Sequence, residues 1–379
     1  MMAHLEWLLL IGYIDALFAE RTELKGQPVG TVPETLAQLY LQAMRHHARE
    51  AALLARRNDL WQPTPDWRLD RHVIRLTLYL QERVGLKPRD RVAIVAEPGP
   101  EWLIADLAGL AAGAVSVAVD PGLPSGELLG ALVEAGPKVI FATATALAHL
   151  DGGTLSLPGL AEVIALGGAK ADGVRTFTQV LELGGTLDTA ERAQVFRATA
   201  RALTPDQPAI CHHDPTVKGR VAWQELSQGA AAERIAELWR ERPAQRGDRV
   251  YLAAPVMTLP VRLALHACLG DGYSMVVLGT IERAAADLAE LGPHRIVAAP
   301  SLLAEVVHSA PARAPAPEVE VGWRERARQL LKRGREPPEH RALREALGGR
   351  IRAIDATGPL DPALSKQLRD IAAVGSAMD

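Results

Sequence analysis

Residues 91–142 constrain the fold most, because three runs of Val, Ile and Ala alternate there with two helical segments. The runs are 91–96 (RVAIVA), 114–119 (AVSVAV) and 138–142 (KVIFA). Between them, 100–112 and 124–135 open on Pro100 and Pro124, and proline's fixed φ suits the first helical turn. A strand that is apolar at nearly every position needs cover on both faces, and helical crossovers of this length make successive strands parallel. The alternation resumes with strands over 249–254, 273–278 and 295–299 and helices over 259–269 and 281–291. The implied fold class is α/β, two tandem wound, mostly parallel sheets flanked by helices. A chain of 379 residues is long enough for two or three such units.

Ahead of the first run, 33–49 and 67–84 read as helices. Further on, 162–166 reads as a strand, 187–203 and 223–240 as helices, 348–355 as a strand and 361–373 as a helix. The expected organisation is an N-terminal helix and linker (1–30), a first α/β subdomain (31–203) and a second (204–379). The first twenty residues set Trp7, Leu10, Ile11, Ile14, Leu17 and Phe18 at helical spacing. That stripe either packs on its own domain or docks a protein partner or a second copy of the chain. Its lack of Lys and Arg argues against a membrane surface. No run of roughly 20 apolar residues suits a transmembrane helix. With 4% aromatic residues and a formal net charge of −3, the chain offers little to nucleic acid. The basic stretch 323–352 reads as solvated helix faces. Two cysteines, Cys211 and Cys268, make no disulfide framework and fit a reducing cytoplasm.

Residues 208–221 hold the densest chemistry: Cys211, His212, His213 and Asp214, then Pro215, Thr216, Lys218 and Gly219. Cys211, His212, His213 and Asp214 invite a metal reading, as does the pair His266 and Cys268. Adjacent ligands on an extended segment point to opposite sides, so polar loop residues are the simpler account, and no metal is expected. Cys211 lacks the positioned base and oxyanion donors that a nucleophile needs. Lys218, with Thr216 and Gly219, can still hold an anion.

Taken together, these residues resemble the adenylate-forming superfamily, and within it the N-terminal half of long-chain fatty acyl-CoA synthetases. The resemblance rests on 67–69 with 85–94 (GLKPRDRVAI), Pro100-Glu101-Trp102, 111–115, Asp120-Pro121, 254–258 and 347–352, and covers 31–375. By family analogy alone it implies ATP with Mg²⁺ and CoA, although no cofactor is expected for this chain; it also implies an acyl ligand and a phosphate loop of the form Thr-Ser-Gly-Thr-Thr-Gly-x-Pro-Lys-Gly. Only Lys218 and Gly219 match that loop in register, with Thr216 nearby. Thr258 stands where the acyl tunnel carries His, and Asp355 stands where the adenine-site segment has Ser. The motif carrying the Mg²⁺-binding Glu would begin after Val374, and the sequence closes at Asp379. By this resemblance the small C-terminal domain with its catalytic Lys is expected to be lacking. The functional expectation is a pseudoenzyme, a binding or scaffold subunit for an acyl ligand or protein partner. The alternative is one half of a split ligase completed by a separate chain.

Overall fold

The computed structural model describes residues 33–57, 59–150, 157–213, 223–240, 243, 245, 247–254, 258–278, 283–309 and 337–376. The helix expected at Trp7 to Phe18 and residues 323–336 of the basic stretch lie outside them. In chain order the elements begin α1 (Leu36–His46), β1 (Leu53–Arg57), β2 (Leu60–Thr64), α2 (Asp66–Glu82), β3 (Arg91–Val95), α3 (Pro100–Ala111) and β4 (Val115–Val119). They continue α4 (Ser125–Ala135), β5 (Val139–Ala142), α5 (Ala144–Leu150), β6 (Glu162–Ala165), β7 (Arg175–Thr176), α6 (Phe177–Gly185) and α7 (Ala190–Arg201). Next come β8 (Pro208–His213), β9 (Trp223–Ser227), α8 (Gln228–Leu238), β10 (Arg249–Ala253), α9 (Leu259–Gly270), β11 (Met275–Leu278) and α10 (Ala284–Leu291). The last are β12 (Arg295–Ala298), α11 (Pro300–Ser309), α12 (Pro338–Ala346), β13 (Ala353–Ala356), α13 (Pro362–Arg369) and β14 (Ala373–Ser376).

The strands form two seven-stranded sheets, ordered β7-β6-β5-β3-β4-β8-β9 and β14-β13-β12-β10-β11-β1-β2. Each is parallel except at one edge, where β9 runs antiparallel to β8 and β2 antiparallel to β1. The α/β, mostly parallel architecture is therefore as the apolar runs imply. Sheet membership does not follow the chain division at residue 203: β8 and β9 complete the first sheet, and the β1–β2 hairpin closes the second.

Alternation along β3 shows how the layers are held. Val92 and Ile94 enter a large core that also takes Val250, Leu252 and Val297 from the second sheet, with Leu76 of α2, Leu107 of α3 and Leu265 of α9 between. Ala93 and Val95 point the other way and pack with Leu128 and Leu132 of α4 and Leu150 of α5. Successive strand residues face opposite sides, so one run of VAIV serves two cores. Helices α2 and α6 cross very closely at Gly184. A Cβ there would stand 2.1 Å from the Arg75 carbonyl oxygen, which only glycine tolerates.

Several elements depart from the linear pattern. Residues 208–213 form a strand, where the sequence suggested a loop, because β4 offers a parallel partner at Ser116 and Val117. The helix expected over 223–240 begins only at Gln228. Trp223–Ser227 is an edge strand, and Ser227 caps α8 by accepting from the Ala230 N–H. The β1–β2 hairpin was not visible in the sequence. It turns through Asp59 at φ 60 and tolerates Pro63 because β2 is an edge. The strand expected from 348 starts at Ala353, since Gly348 and Gly349 turn through φ 89 and 77.

The helices between the sheets are locked by a buried cluster. Ser116 donates to Asp106 Oδ1 at 2.6 Å, His266 Nε2 meets Oδ2 at 2.9 Å, and the Arg262 guanidinium pairs with the same carboxylate. Arg262 also donates to the Ser116 carbonyl at 3.1 Å and lies over the Trp102 ring. All four side chains are buried. Burial alone would raise the Asp106 carboxyl, but Arg262 and His266 outweigh it and hold the group well below the usual carboxylate range. Asp106→Ala, leaving Arg262 buried and unpaired, is expected to cost about 3–5 kcal/mol, read as a lower urea midpoint. Replacing Asp106, Arg262 and His266 together by Leu, Met and Leu is expected to recover most of that loss. Because the folded-state value is depressed, the wild-type contribution is complete above the unfolded-state value near pH ~4 and is lost as the pH falls below it.

Candidate functional site

The residues that the resemblance singles out follow β8 (Thr216, Lys218 and Gly219), follow β10 (Thr258) or lie on β13 (Asp355). β8 and β9 pair antiparallel out to His213 and Trp223, so Thr216, Lys218 and Gly219 belong to the segment joining β8 to the edge strand β9. These three residues lie outside the described ones. Cys211 is fully buried in the outer core of the first sheet, beside Val117 and Val95. Burial pushes its thiol up to about 11, and burial likewise raises Cys268 well above its ordinary value. Neither cysteine is poised as a thiolate nucleophile.

Thr258 is exposed at the N-cap of α9, in extended backbone, and its carbonyl accepts the first intrahelical bond from the Arg262 N–H at 3.1 Å. Eight residues along that helix, His266 turns to Asp106, whereas the charged neighbours of Cys268 are Arg295, Asp271, Arg49 and Asp355. The pair His266 and Cys268 therefore does not converge. Among the described residues no group of three or more His, Cys, Asp or Glu side chains is placed to hold a metal.

Asp355 occupies the middle of β13 and is fully buried. Arg295 of β12 donates to its Oδ2 at 2.7 Å, and the guanidinium stacks 4.3 Å over the Trp239 ring and 5.8 Å from Tyr273. The carboxylate is thus held inside the sheet. Thr357, Gly358, Pro359 and Leu360, beyond Ala356, emerge from full burial. The charge of Asp355 is matched by a buried arginine.

Sequence reasoning missed Asp106, Ser116 and Arg262. The available signals were a single charge, Asp106, in the otherwise apolar run 102–112 and the spacing of Arg262 and His266 by four, which puts both on one helical face. It also missed a cavity of about 530 Å³ between the β1–β2 hairpin and the carboxyl ends of β3, β5 and β6.

Residues 67–378 match the family model described as AMP-binding enzyme. The chain belongs to that family. AMP-binding relatives include the long-chain-fatty-acid-CoA ligases FadD15 of Mycobacterium bovis and Mycobacterium tuberculosis, each 26% identical over 299 residues. The alignment takes in 73% of this chain and 48% of theirs, so the chain spans about half the length of these relatives. Among solved structures, the acetoacetyl-CoA synthetase of Streptomyces lividans superposes with a TM-score of 0.67 at 19% identity, covering 90% of this chain and 51% of that one. The N-terminal domain of FACL13 from Mycobacterium tuberculosis gives 0.65 at 15% identity, covering 90% and 75%. These likenesses establish the acyl-CoA synthetase N-terminal type of fold. No helix among the described residues is long and apolar enough to cross a membrane.

Native protein at pH 8 is expected to resist iodoacetamide at both cysteines and to take up two carbamidomethyl groups only after unfolding in urea, as counted by intact mass. Rapid native labelling of Cys211 would contradict its placement in the core.

Proposed function

We propose that this chain is an acyl-CoA-ligase-like protein that does not activate its acyl ligand, and that it serves as a binding or scaffold subunit. The observation that carries the reading is the fate of Asp355, a carboxylate at the adenine-site position that is spent on a buried pair with Arg295. The composition of the joining segment supports it. Asp214 would repel a phosphate, and Pro215 removes a backbone donor where glycines would let N–H groups converge. A charge-assisted hydrogen bond to phosphate contributes about 1.5–3 kcal/mol, so losing three or four weakens ATP binding by several powers of ten. Without convergent donors on the phosphates, little is left to stabilise charge developing in a phosphoryl-type transition state.

Residual anion binding is assigned to Thr216, Lys218 and Gly219, and acyl contact to Thr258 at the exposed start of α9. A protein partner or second copy would be recruited through the helix carrying Trp7 and Phe18.

ATP–pyrophosphate exchange with dodecanoate and Mg²⁺ is expected to stay at background for the full chain, while calorimetry registers dodecanoate but not ATP. Exchange at the rates of an ordinary ligase would sink the reading. Lys218→Ala is expected to abolish any weak binding of inorganic pyrophosphate without changing the unfolding midpoint.

A further inference from the structure

The 530 Å³ cavity lies at a place that the topology of the first sheet singles out. In the order β7-β6-β5-β3-β4, the chain leaves β3 toward β4 on one side and then returns to β5 on the other. The connections take opposite faces. α3, after β3, packs into the inter-sheet core through Leu103 and Leu107, whereas α5, after β5, packs into the outer core through Ala146 and Leu150. Two connections that diverge from adjacent strands leave a crevice outside their carboxyl ends, which is where open α/β sheets bind ligands. Ala96 and Glu97 beyond β3 and Thr143 beyond β5 line the cavity at that divergence. The β1–β2 hairpin of the other sheet forms the facing wall, and the volume falls in the range of small-molecule sites.

The lining is divided by chemistry. Trp102, Ile104, Leu166 and Phe177 line its interior and are almost wholly buried, which makes an apolar floor. Arg57 and Arg68 are exposed at its mouth and have no ion-pair partner among the described residues, although Arg68 lies 5.2 Å from the Trp67 ring. Arg56, on the same wall, is committed to Asp287 and Glu290. Of the carboxylates, Glu101 accepts from the Gly167 N–H at 2.6 Å and so serves the loop after β6, while Glu97 is exposed at the rim. His72 is held below its ordinary value by burial first and then by Arg75 and Arg68, so it adds no charge at neutral pH. The first turn of α3 opens here too, with Gly99 as N-cap and no side-chain cap on its donors.

We propose that this cavity binds a small amphiphilic anion, its apolar body on the floor at Trp102 and Phe177 and its anionic head between Arg57 and Arg68. Guanidinium groups fit the planar, two-oxygen face of a carboxylate or phosphate, and the floor accepts an unbranched or aromatic body. The site contains neither Thr258 nor Asp355 nor any residue of β8, so it is separate from the family's crevice. It does not rest on the absence of catalysis, since a working ligase and an inactive one would present the same cavity.

The test is calorimetric titration of the full chain with decanoate, decyl phosphate and decanol below their aggregation limits. Decanoate or decyl phosphate is expected to bind and to raise the melting temperature, and whichever is tighter identifies the head group. Arg57→Gln with Arg68→Gln, both exposed, should weaken the anions about tenfold or more and leave decanol unchanged. Leu181→Trp, which fills the apolar end, should remove binding of all three while far-ultraviolet circular dichroism stays native. A fatty acid held at Thr258 alone would survive the double arginine substitution and Leu181→Trp, which separates the two sites. The proposal is overturned if neither anion binds or if the double arginine variant binds them as the wild type does.

Discussion

A single buried carboxylate, Asp106, holds the two halves of this molecule in register. It sits on α3 and is satisfied from β4 by Ser116 and from α9 by Arg262 and His266. In a low-dielectric interior an unmatched charge is far more costly than a matched one is beneficial, so each partner requires the others to be in place. The helices that follow the first sheet and those that belong to the second therefore cannot slide past one another without breaking the cluster. That constraint reaches both ligand-facing regions, because α9 starts at Thr258 and α3 starts at the mouth of the cavity at Gly99 and Pro100.

The same principle explains what has become of other charges. Arg49 is bound to Asp66 and to the Tyr273 carbonyl, Arg295 to Asp355, and Arg56 to Asp287 and Glu290. Each pair joins segments distant in sequence, and each guanidinium is taken out of ligand chemistry by its partner. Within an AMP-binding scaffold, charge has gone into architecture at positions such as 355, while Arg57 and Arg68 stay exposed at the cavity mouth. The contrast between committed and uncommitted arginines is a better guide to ligand sites here than charge content.

Much of the fold was legible because its central strands are apolar at nearly every position. VAIV at 92–95 and VSVAV at 115–119 can only be covered on both faces, and the intervening Pro-led helices leave a parallel crossover as the connection. The edges were not legible. LLARR and LWQPT at 53–57 and 60–64 carry no distinctive period and become strands only because β11 offers a free edge to β1. WQELS at 223–227 reads as helix by the spacing of Trp223 and Leu226, and its pairing with β8 overrides that local preference. The site was legible only in part. The unusual composition of 208–221 was plain, but the burial of Asp355 against Arg295 could not be read from a segment sixty residues away.

The sequence by itself determined the class of fold, the two wound sheets, and which side chains are chemically able to bind phosphate or metal, since period and residue type act locally. Tertiary structure alone decided which charges remain available, because a carboxylate becomes a ligand or a structural member according to whether a distant arginine meets it in a dry interior. It also decided where a cavity exists, since the crevice between β3 and β5 arises from the spatial order of strands and from a hairpin that joins the other sheet.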